Sequence, residues 1–377
     1  NNSASSEEFV FTAFQSSDVT GWSVRSADYK LITYEDGSQE LFDLTQGFSE
    51  TSSANLLPSS DSVINNIVDD LATYATNITG EVDMGPIDIT NAILTNTDGN
   101  CAQYVESYTS TVNDINNSVV FMGDLAISVI GDKCIFNTNE IPNHDFNDGA
   151  QKFPNDVSEQ DSQLEVTATP TIASNTTDLS LQVDNALLLN GVKVDLLAAA
   201  CYGVGGQPKG QEKIGCNDGN DWRYDPMYID SGFNVDTHNA HSQPNGSYHY
   251  HGSPLALFSD SSNSNVSPVI GFAADGFPIF GSYFEDNGTI RKAVSSYQLK
   301  TGNRPSGSNE PGEAGGPFSS DNYDGRFIDD YEYVPNAGDL DKCNGMTING
   351  VYAYYVTESY PYVIGCYSGT PDESFHK

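Results

Sequence analysis

The sequence predicts a mainly β protein: an irregular β-sandwich or barrel-like domain preceded by a small α+β module, an antiparallel sheet with one helix. Three observations lead to this prediction. Residues 9–44 alternate apolar and polar side chains, residues 59–75 space apolar side chains as a helix does, and the chain beyond them consists mostly of short apolar runs. We expect residues 1–82 to form the module and residues 83–377 to form the main domain.

Two local signals define the N-terminal module. The sequence "EDGSQ" separates two alternating runs, and Asp-Gly suits the tight turn of a β-hairpin. After Pro58, a serine can cap a helix whose apolar face is predicted to contain Val63, Ile64, Ile67, Val68 and Leu71. These signals predict a small antiparallel sheet covered by one helix.

The stretch "SVRSADYKLITYEDGSQELFDLTQGFSETSSANLL" resembles the C-terminal subdomain of the sulfatase family, over about residues 20–76. In that subdomain a strand, a hairpin and a further strand lead into a helix. The sulfatase nucleophile motif, Cys or Ser followed by x-Pro-x-Arg, is absent from the chain. The resemblance therefore implies a scaffold without sulfatase chemistry.

The main domain is predicted from runs such as "VVFMGDLAISVI", "LEVTATPTI" and "VIGFAADGFPIFGSYF". Gly, Pro, Asn and Asp separate these runs, and few helical periods occur between them. Many short strands with turn signals are typical of a sandwich or an irregular barrel.

The charge balance excludes two classes of partner. The chain has 15 basic and 52 acidic residues, a formal net charge of −37. Such a chain repels nucleic acid and anionic lipid, and no run of 18 apolar residues is present to span a membrane. The same charge attracts divalent cations and fits a saline, secreted, extracellular or cell-surface setting.

Six cysteines occur, and no two of them form a CxxC pair. An even number of widely spaced cysteines indicates three disulfides made in an oxidising compartment, with 15 possible connectivities; buried free thiols are the alternative. The chain also begins at Asn1 without a methionine, as expected of a processed secreted protein. Because neighbouring cysteines share one local segment, we expect the pairs Cys101–Cys134, Cys201–Cys216 and Cys343–Cys366.

Four of the six histidines lie within "HNAHSQPNGSYHYH", residues 238–251. In an extended strand His249 and His251 project to one face, while the two flanking tyrosines project to the other. The turn predicted at "PNG" allows the chain through His238 and His241 to return beside that strand. The sequence therefore predicts that His241, His249 and His251 converge on one point, with His238 or an acidic side chain completing the set.

Converging neutral imidazoles are suitable ligands for Zn²⁺ or copper, and for Fe²⁺ if a carboxylate joins them. Asp236 is a candidate additional ligand or a residue that orients one, and His144 in "IPNHDF" is a candidate remote participant. The alternative is a set of polar side chains that form hydrogen bonds in an aromatic core. A bound transition metal is the hypothesis that we carry forward.

The letters "YHYH" also carry a family resemblance. Over about residues 85–377 the chain resembles the YHYH-domain family of secreted bacterial proteins, through "IPNHDFND", "WRYDPM", "THNAHSQPNGSYHYHG", "SPVIGFAADGFPIFG" and "YAYYVTESYPYVIGCYSGT". The resemblance implies that His241, His249 and His251 belong to the family signature. It implies no particular reaction.

Two weaker signals remain. Asp275 in "AADGFPIFG" is a candidate general base near a metal, although Asp-Gly equally predicts a turn before a buried strand. The acidic stretches "CNDGNDW", "DNYDGRFIDD" and "GDLDKCNG" offer oxygen ligands for Ca²⁺, but none has the EF-hand spacing.

Three functions follow as hypotheses. The first is a secreted metalloprotein whose histidine site supports hydrolytic or redox chemistry. The second is a structural or adhesive extracellular protein, such as a self-assembling filament subunit, in which a metal serves only as a staple. The third is a calcium-dependent carbohydrate-binding protein. Self-association or a surface polysaccharide is the corresponding partner hypothesis. The sequence predicts neither a substrate nor an oligomeric state.

Overall fold

The structure is a computed structural model, and the described residues divide into two compact units, residues 1–87 and residues 88–377. Each unit is described separately below. Within them, the structure describes residues 10–15, 20–34, 38–45, 55–57, 59, 64, 67–68, 71–72, 86–261 and 265–377.

The N-terminal unit contains a four-stranded antiparallel sheet in chain order. Its strands are β1 (Val10–Gln15), β2 (Thr20–Arg25), β3 (Tyr29–Tyr34) and β4 (Gln39–Asp43). The predicted hairpin is confirmed as the pair β3–β4, in which Thr33 lies opposite Gln39, although residues 35–37 lie outside the described residues.

The helix predicted after Pro58 is described only at some of its residues. Ile64, Ile67, Val68 and Leu71 are helical. They pack on a small core formed by Val24, Leu31 and Leu41 of the sheet. Val63 and the predicted capping residues at the helix start lie outside the described residues, except Ser59.

A five-stranded sheet opens the main part of the chain, again in chain order. Its strands are β5 (Ile87–Asp88), β6 (Glu106–Asp114), β7 (Val119–Ile130), β8 (Lys133–Thr138) and β9 (Ser162–Thr167). Alternate residues of β7, among them Leu125 and Ile127, are buried, as expected of a sheet with one solvated face.

An eight-stranded sheet follows. Its strands are β11 (Ala186–Leu188), β12 (Lys193–Val194), β13 (Ala240–Ser242), β14 (Tyr248–Tyr250), β15 (Val269–Ala273), β16 (Pro278–Phe280), β21 (Gly345–Ile348) and β22 (Val351–Tyr355). Their order in the sheet is β13-β14-β12-β11-β15-β16-β22-β21. Two of the strand pairs are parallel, β12 with β14 and β16 with β22.

Three two-stranded ribbons and three short 3₁₀ helices complete the regular structure of the described residues. The ribbons are β10 (Thr177–Asp178) with β23 (Cys366–Tyr367), β17 (Tyr283–Asp286) with β18 (Thr289–Lys292), and β19 (Tyr297–Leu299) with β20 (Tyr331–Tyr333). The 3₁₀ helices are Cys101–Tyr104, Ile328–Asp330 and Glu373–Phe375.

The five-stranded and eight-stranded sheets share one hydrophobic core. The ring of Phe272 on β15 packs against Phe136 on β8 and against Tyr104, with ring centres 6.2 and 5.7 Å apart. Every sheet of the described residues is open. The prediction of a mainly β, irregular fold is thus confirmed, and the arrangement is closer to a sandwich than to a closed barrel.

The three expected disulfides are present, and no described cysteine is free. They join Cys101 to Cys134, Cys201 to Cys216 and Cys343 to Cys366. Among the described residues, none of the helices has the length and hydrophobicity that a membrane-spanning helix requires.

Candidate metal centre

The edge strand β13 and its neighbour β14 present the histidines. β13 and β14 are antiparallel, and His241 lies directly opposite His249. His251 directly follows β14 and lies two residues after His249, so it projects to the same face as His249. The predicted turn before β14 is present: Gly246 has a φ of 89°, and its amide donates to the carbonyl of Gln243. This turn returns the chain so that both strands contribute side chains to one point.

The three rings meet through their Nε2 atoms. The Nε2 atom of His251 lies 2.9 Å from that of His249 and 3.0 Å from that of His241. Three nitrogens bound about 2.0–2.1 Å from a tetrahedral ion would lie about 3.3–3.4 Å apart. Outward shifts of a few tenths of an ångström would therefore make room for an ion. We call His241, His249 and His251 the histidine triad.

Hydrogen bonding orients His241 within the triad. Its Nδ1 atom lies 2.7 Å from the carbonyl oxygen of Phe233. A carbonyl can only accept, so Nδ1 carries the proton and Nε2 presents a lone pair. The Nδ1 atom of His249 is 3.5 Å from the carbonyl of Ser247, and that of His251 has no partner of good geometry, although the backbone of Leu196 lies near it.

Burial keeps the triad neutral. His249 and His251 are 2% and 4% exposed, and His241 is partly buried. Burial lowers the pKa of His241, and burial together with the neighbouring imidazoles holds the pKa of His249 and of His251 well below the usual histidine value. Neutral rings are the form in which histidine binds a metal.

The tyrosines of the "YHYH" stretch occupy the opposite face of β14, as predicted. Tyr248 packs against Phe146 and Phe153 in the shared core. Its hydroxyl donates to Asp236, and the hydroxyl of Tyr250 lies 2.6 Å from Nε2 of His144. The alternation of strand side chains thus separates two roles, since the histidines face a cleft and the tyrosines anchor the strand.

The structure does not bring His238, Asp236 or His144 into the triad. The ring of His238 packs against that of His144, with ring centres 3.9 Å apart and ring planes tilted by 36°. Asp236 accepts hydrogen bonds from Tyr248 and from backbone amides, including those of His238 and Ala240, so it closes the turn before β13. Among the described residues, the triad is the only group of three or more His, Cys, Asp or Glu side chains with ligand atoms close enough to hold one ion.

Asp275 and the acidic stretches have protein partners instead. Asp275 accepts from the Tyr354 hydroxyl and the Gly369 amide at the turn between β15 and β16, and it does not line the cleft of the triad.

Each of the three acidic stretches contains an aspartate with a protein partner. Asp218 accepts a hydrogen bond from the Ser180 hydroxyl, Asp324 forms an ion pair with Arg304, and Asp339 forms one with Arg291.

A cleft of about 630 Å³ lies beside the triad, and all three histidines line it. Apart from the histidines, its charged lining residues are Asp195, Lys213 and Lys377. Sequence reasoning did not single out these three. For Asp195 a signal was present, because Lys193 and Asp195 are the charged residues of the otherwise apolar run "NALLLNGVKVDLLAAA".

Asp195 belongs to a buried charge network next to the triad. Its amide donates to the carbonyl of Tyr250, between two triad histidines in sequence. One carboxylate oxygen accepts from Lys377 and from Gln243 at 2.9 Å, while the other is buried without a hydrogen-bond partner. Burial raises the pKa of Asp195 to about 6, partly offset by the Lys377 ammonium.

Together these features define a disulfide-linked, mainly β protein with a buried histidine triad beside an open cleft. The model of the family described as YHYH protein matches residues 163–369, more than half of the chain. The chain therefore belongs to the YHYH family, and the match includes the whole triad. No curated protein and no solved structure matches the chain. The segment that resembles the sulfatase subdomain lies outside the family match and is supported by none of these comparisons.

Proposed function

We propose that this chain is an extracellular metalloprotein in which His241, His249 and His251 bind one transition-metal ion, Zn²⁺ or copper. The observation that carries the proposal is the convergence of three Nε2 atoms with separations of 2.9 and 3.0 Å in a buried site. A positive charge at the centre of the three nitrogens would stabilise this arrangement.

The reason is electrostatic. Three neutral imidazoles that direct lone pairs at one point repel each other, and low dielectric strengthens that repulsion. A proton shared between two rings would relieve it only in part, and burial opposes the charged ring that a further proton would create. A bound cation satisfies all three nitrogens together.

The ligand set favours Zn²⁺ or copper over hard cations. Imidazole suits both metals, whereas Ca²⁺ and Mg²⁺ require oxygen ligands. Three protein ligands beside an open cleft resemble the arrangement of catalytic zinc sites, in which water occupies the fourth position. A bound Zn²⁺ would supply an acidified water, and copper would supply one-electron chemistry. The protein supplies the orientation of His241 and the buried surroundings.

The proposed location and domain organisation rest on other features. Three disulfides and an acidic surface fit an oxidising, saline environment. We also propose that the YHYH domain extends over the whole unit of residues 88–377, because its two large sheets share one core. The N-terminal unit would serve as a scaffold, as its resemblance to the sulfatase subdomain implies.

Elemental analysis of protein produced in an oxidising compartment tests the proposal. We expect about one Zn or Cu per chain, removable by a strong chelator and restored by titration of either metal into the stripped protein. Isothermal titration with Ca²⁺ under the same conditions should show no comparable binding. Calcium alone would favour the carbohydrate-binding hypothesis, and no bound metal would favour a structural protein.

A further inference from the structure

We infer that the cleft beside the triad binds a small ligand with an apolar body and a carboxylate, and that the carboxylate is held between the bound ion and Lys213. This inference rests on the proposed metal function and names the ligand class of the same site. It depends on the charge lining the cleft, the hydrogen bonds of Lys213 and the apolar wall.

The first observation is the net charge of the side chains that line the cleft. Its charged lining side chains, with neutral histidines, are one carboxylate and two ammonium groups. The chain as a whole has a net charge of −37. The excess ammonium of this lining can attract an anionic head group at short range, and a bound divalent ion would strengthen that attraction.

The second observation is that Lys213 has no carboxylate partner among the described residues. Most described lysines form ion pairs, for example Lys193 with Asp184 and Lys377 with Asp195. The Lys213 ammonium instead donates one hydrogen bond, to the Ser231 carbonyl. An ammonium group has three N–H donors, so this bond uses only one of them.

The Glu212 carboxylate attracts the Lys213 ammonium, but it already accepts three hydrogen bonds from other groups. It accepts from the Tyr224 hydroxyl and from the amides of Gly203 and Gly210. Burial lowers the pKa of Lys213, because partial desolvation of the ammonium outweighs the attraction of Glu212. An incoming carboxylate would supply the missing counter-charge.

The third observation connects Lys213 to the metal centre through one residue. The Lys213 ammonium lies 4.2 Å from the ring centre of Phe233. The carbonyl of that same residue accepts the hydrogen bond from His241. Phe233 thus contacts His241 through its backbone carbonyl and Lys213 through its ring. This one residue therefore positions both groups that would contact the bound carboxylate.

The other two charged residues of the cleft do not offset the charge of Lys213. Asp195 and Lys377 form an ion pair, so their charges largely cancel and leave Lys213 as the excess charge. The remaining wall is mainly apolar and includes Leu181, Leu197 and Ile214; Ile214 is 67% exposed. An apolar wall next to an ion and an ammonium suits a ligand with an apolar body and one anionic end.

Benzoate and benzamide provide a matched pair of ligands, since they share a ring and differ in the charge of the head group. We would titrate each into Zn²⁺-loaded protein by calorimetry. We expect benzoate to bind at least tenfold more tightly than benzamide. The variant Lys213→Gln should lose at least tenfold in benzoate affinity, whereas Lys213→Arg should keep most of it. Lys300→Gln is the matched control, because Lys300 donates to the Asp329 carbonyl and does not line the cleft.

Metal content, measured on every sample, separates the two proposals. If Zn²⁺ is retained but benzoate binds no better than benzamide, or Lys213→Gln binds benzoate like the parent protein, the inference is wrong. If no metal is retained, the proposed function fails. The titration of metal-free protein then tests Lys213 alone: a loss of benzoate affinity in Lys213→Gln supports the anionic subsite, and equal affinity rejects it. Thermal melts of both Lys213 variants confirm that the fold is unchanged.

Discussion

His241 and His249 lie directly opposite each other on β13 and β14, and the Nε2 atom of His251 lies between theirs at 3.0 and 2.9 Å. Two features of sheet geometry produce this relationship. Cross-strand neighbours approach within about 5.5 Å at their Cα atoms, and residues two apart share a face. Two adjacent strands and the residue that follows one of them therefore supply all three ligands.

The double variant His249→Ala, His251→Ala should abolish metal retention, because a single remaining imidazole is a weak ligand. The control is His376→Ala, which removes a half-exposed histidine outside the triad. We expect the control to hold as much metal as the parent protein in elemental analysis after dialysis. Equal metal content in the double variant would show that any bound ion lies elsewhere.

Gly246→Ala should destabilise the protein and weaken metal binding. A Cβ at this position would lie 2.1 Å from Oγ of Ser158 and 3.0 Å from its backbone nitrogen, and the φ of 89° strains any side chain. The matched control is Gly131→Ala, where φ is also positive but no atom lies within 4 Å of the new Cβ.

We expect the control to cost about 1 kcal/mol from backbone strain alone and to leave metal affinity unchanged. Gly246→Ala should cost at least about 1 kcal/mol more, because Ser158 must move. Urea unfolding and zinc titration measure both effects. Equal costs for the two variants would mean that Ser158 adapts freely and that the turn does not constrain the triad.

Stability should fall with acid because of His144. Burial, with a smaller contribution from neighbouring His238, lowers the pKa of His144 to about 3, and its two ring nitrogens bond to Tyr250 and to the Asp145 carbonyl. Below the unfolded pKa of about 6.5, the unfolded chain binds a proton that the folded chain does not. The free energy of unfolding should therefore decrease between about pH 6.5 and pH 3, by about 1.4 kcal/mol per pH unit from this residue.

His144→Gln should remove the contribution of His144 to the slope of the unfolding free energy against pH. The variant will also be less stable than the parent protein at pH 7, because hydrogen bonds of His144 are lost. Urea unfolding of chelator-treated protein at pH 6, 5.5 and 5 measures the slope. The control His376→Gln alters a half-exposed ring and should keep the parent slope. A parent-like slope in His144→Gln would contradict the assignment of a neutral His144.

Asp330→Asn should cost about 3–5 kcal/mol, because it leaves the Arg304 guanidinium buried without its main partner. Arg304 and Asp330 are 2% and 0% exposed, and Nε of Arg304 donates to Asp330 at 2.8 Å. Asp178→Asn is the control, since its ion pair with Lys342 is solvent-exposed and should contribute little. Chemical denaturation measures both; a small loss in Asp330→Asn would mean that Asp324 alone neutralises Arg304.

The double variant Cys201→Ser, Cys216→Ser should lower the free energy of unfolding by about 3 kcal/mol, the chain-entropy value for a loop of about 15 residues. The two cysteines are 15 residues apart, and Cys216 lines the cleft.

Peptide mapping without reduction should recover the three disulfides intact. A crossed pair in the map would contradict the connectivity described above.

Much of the fold was predictable because local signals were strong. Alternating side chains and the "EDGSQ" turn predicted the β3–β4 hairpin, and the pairing of sequential cysteines agreed with the structure. The order of the eight-stranded sheet was not predictable. Its strands are two to five residues long, and β14 pairs with β12, which lies more than fifty residues earlier in the chain. Such short strands carry too little periodicity to specify a distant partner.

For the site, the sequence alone determined that His249 and His251 share a face and that a turn returns His241 to them, because strand alternation and turn chemistry are local. Tertiary structure decided the rest. Asp236 and His238 are close in sequence to the triad, but Asp236 closes a turn and His238 packs against the His144 ring. Asp195, Lys213 and Phe233 line the cleft instead. Packing of the sheets determines which distant side chains meet and which become neutral by burial, and no local pattern encodes either outcome.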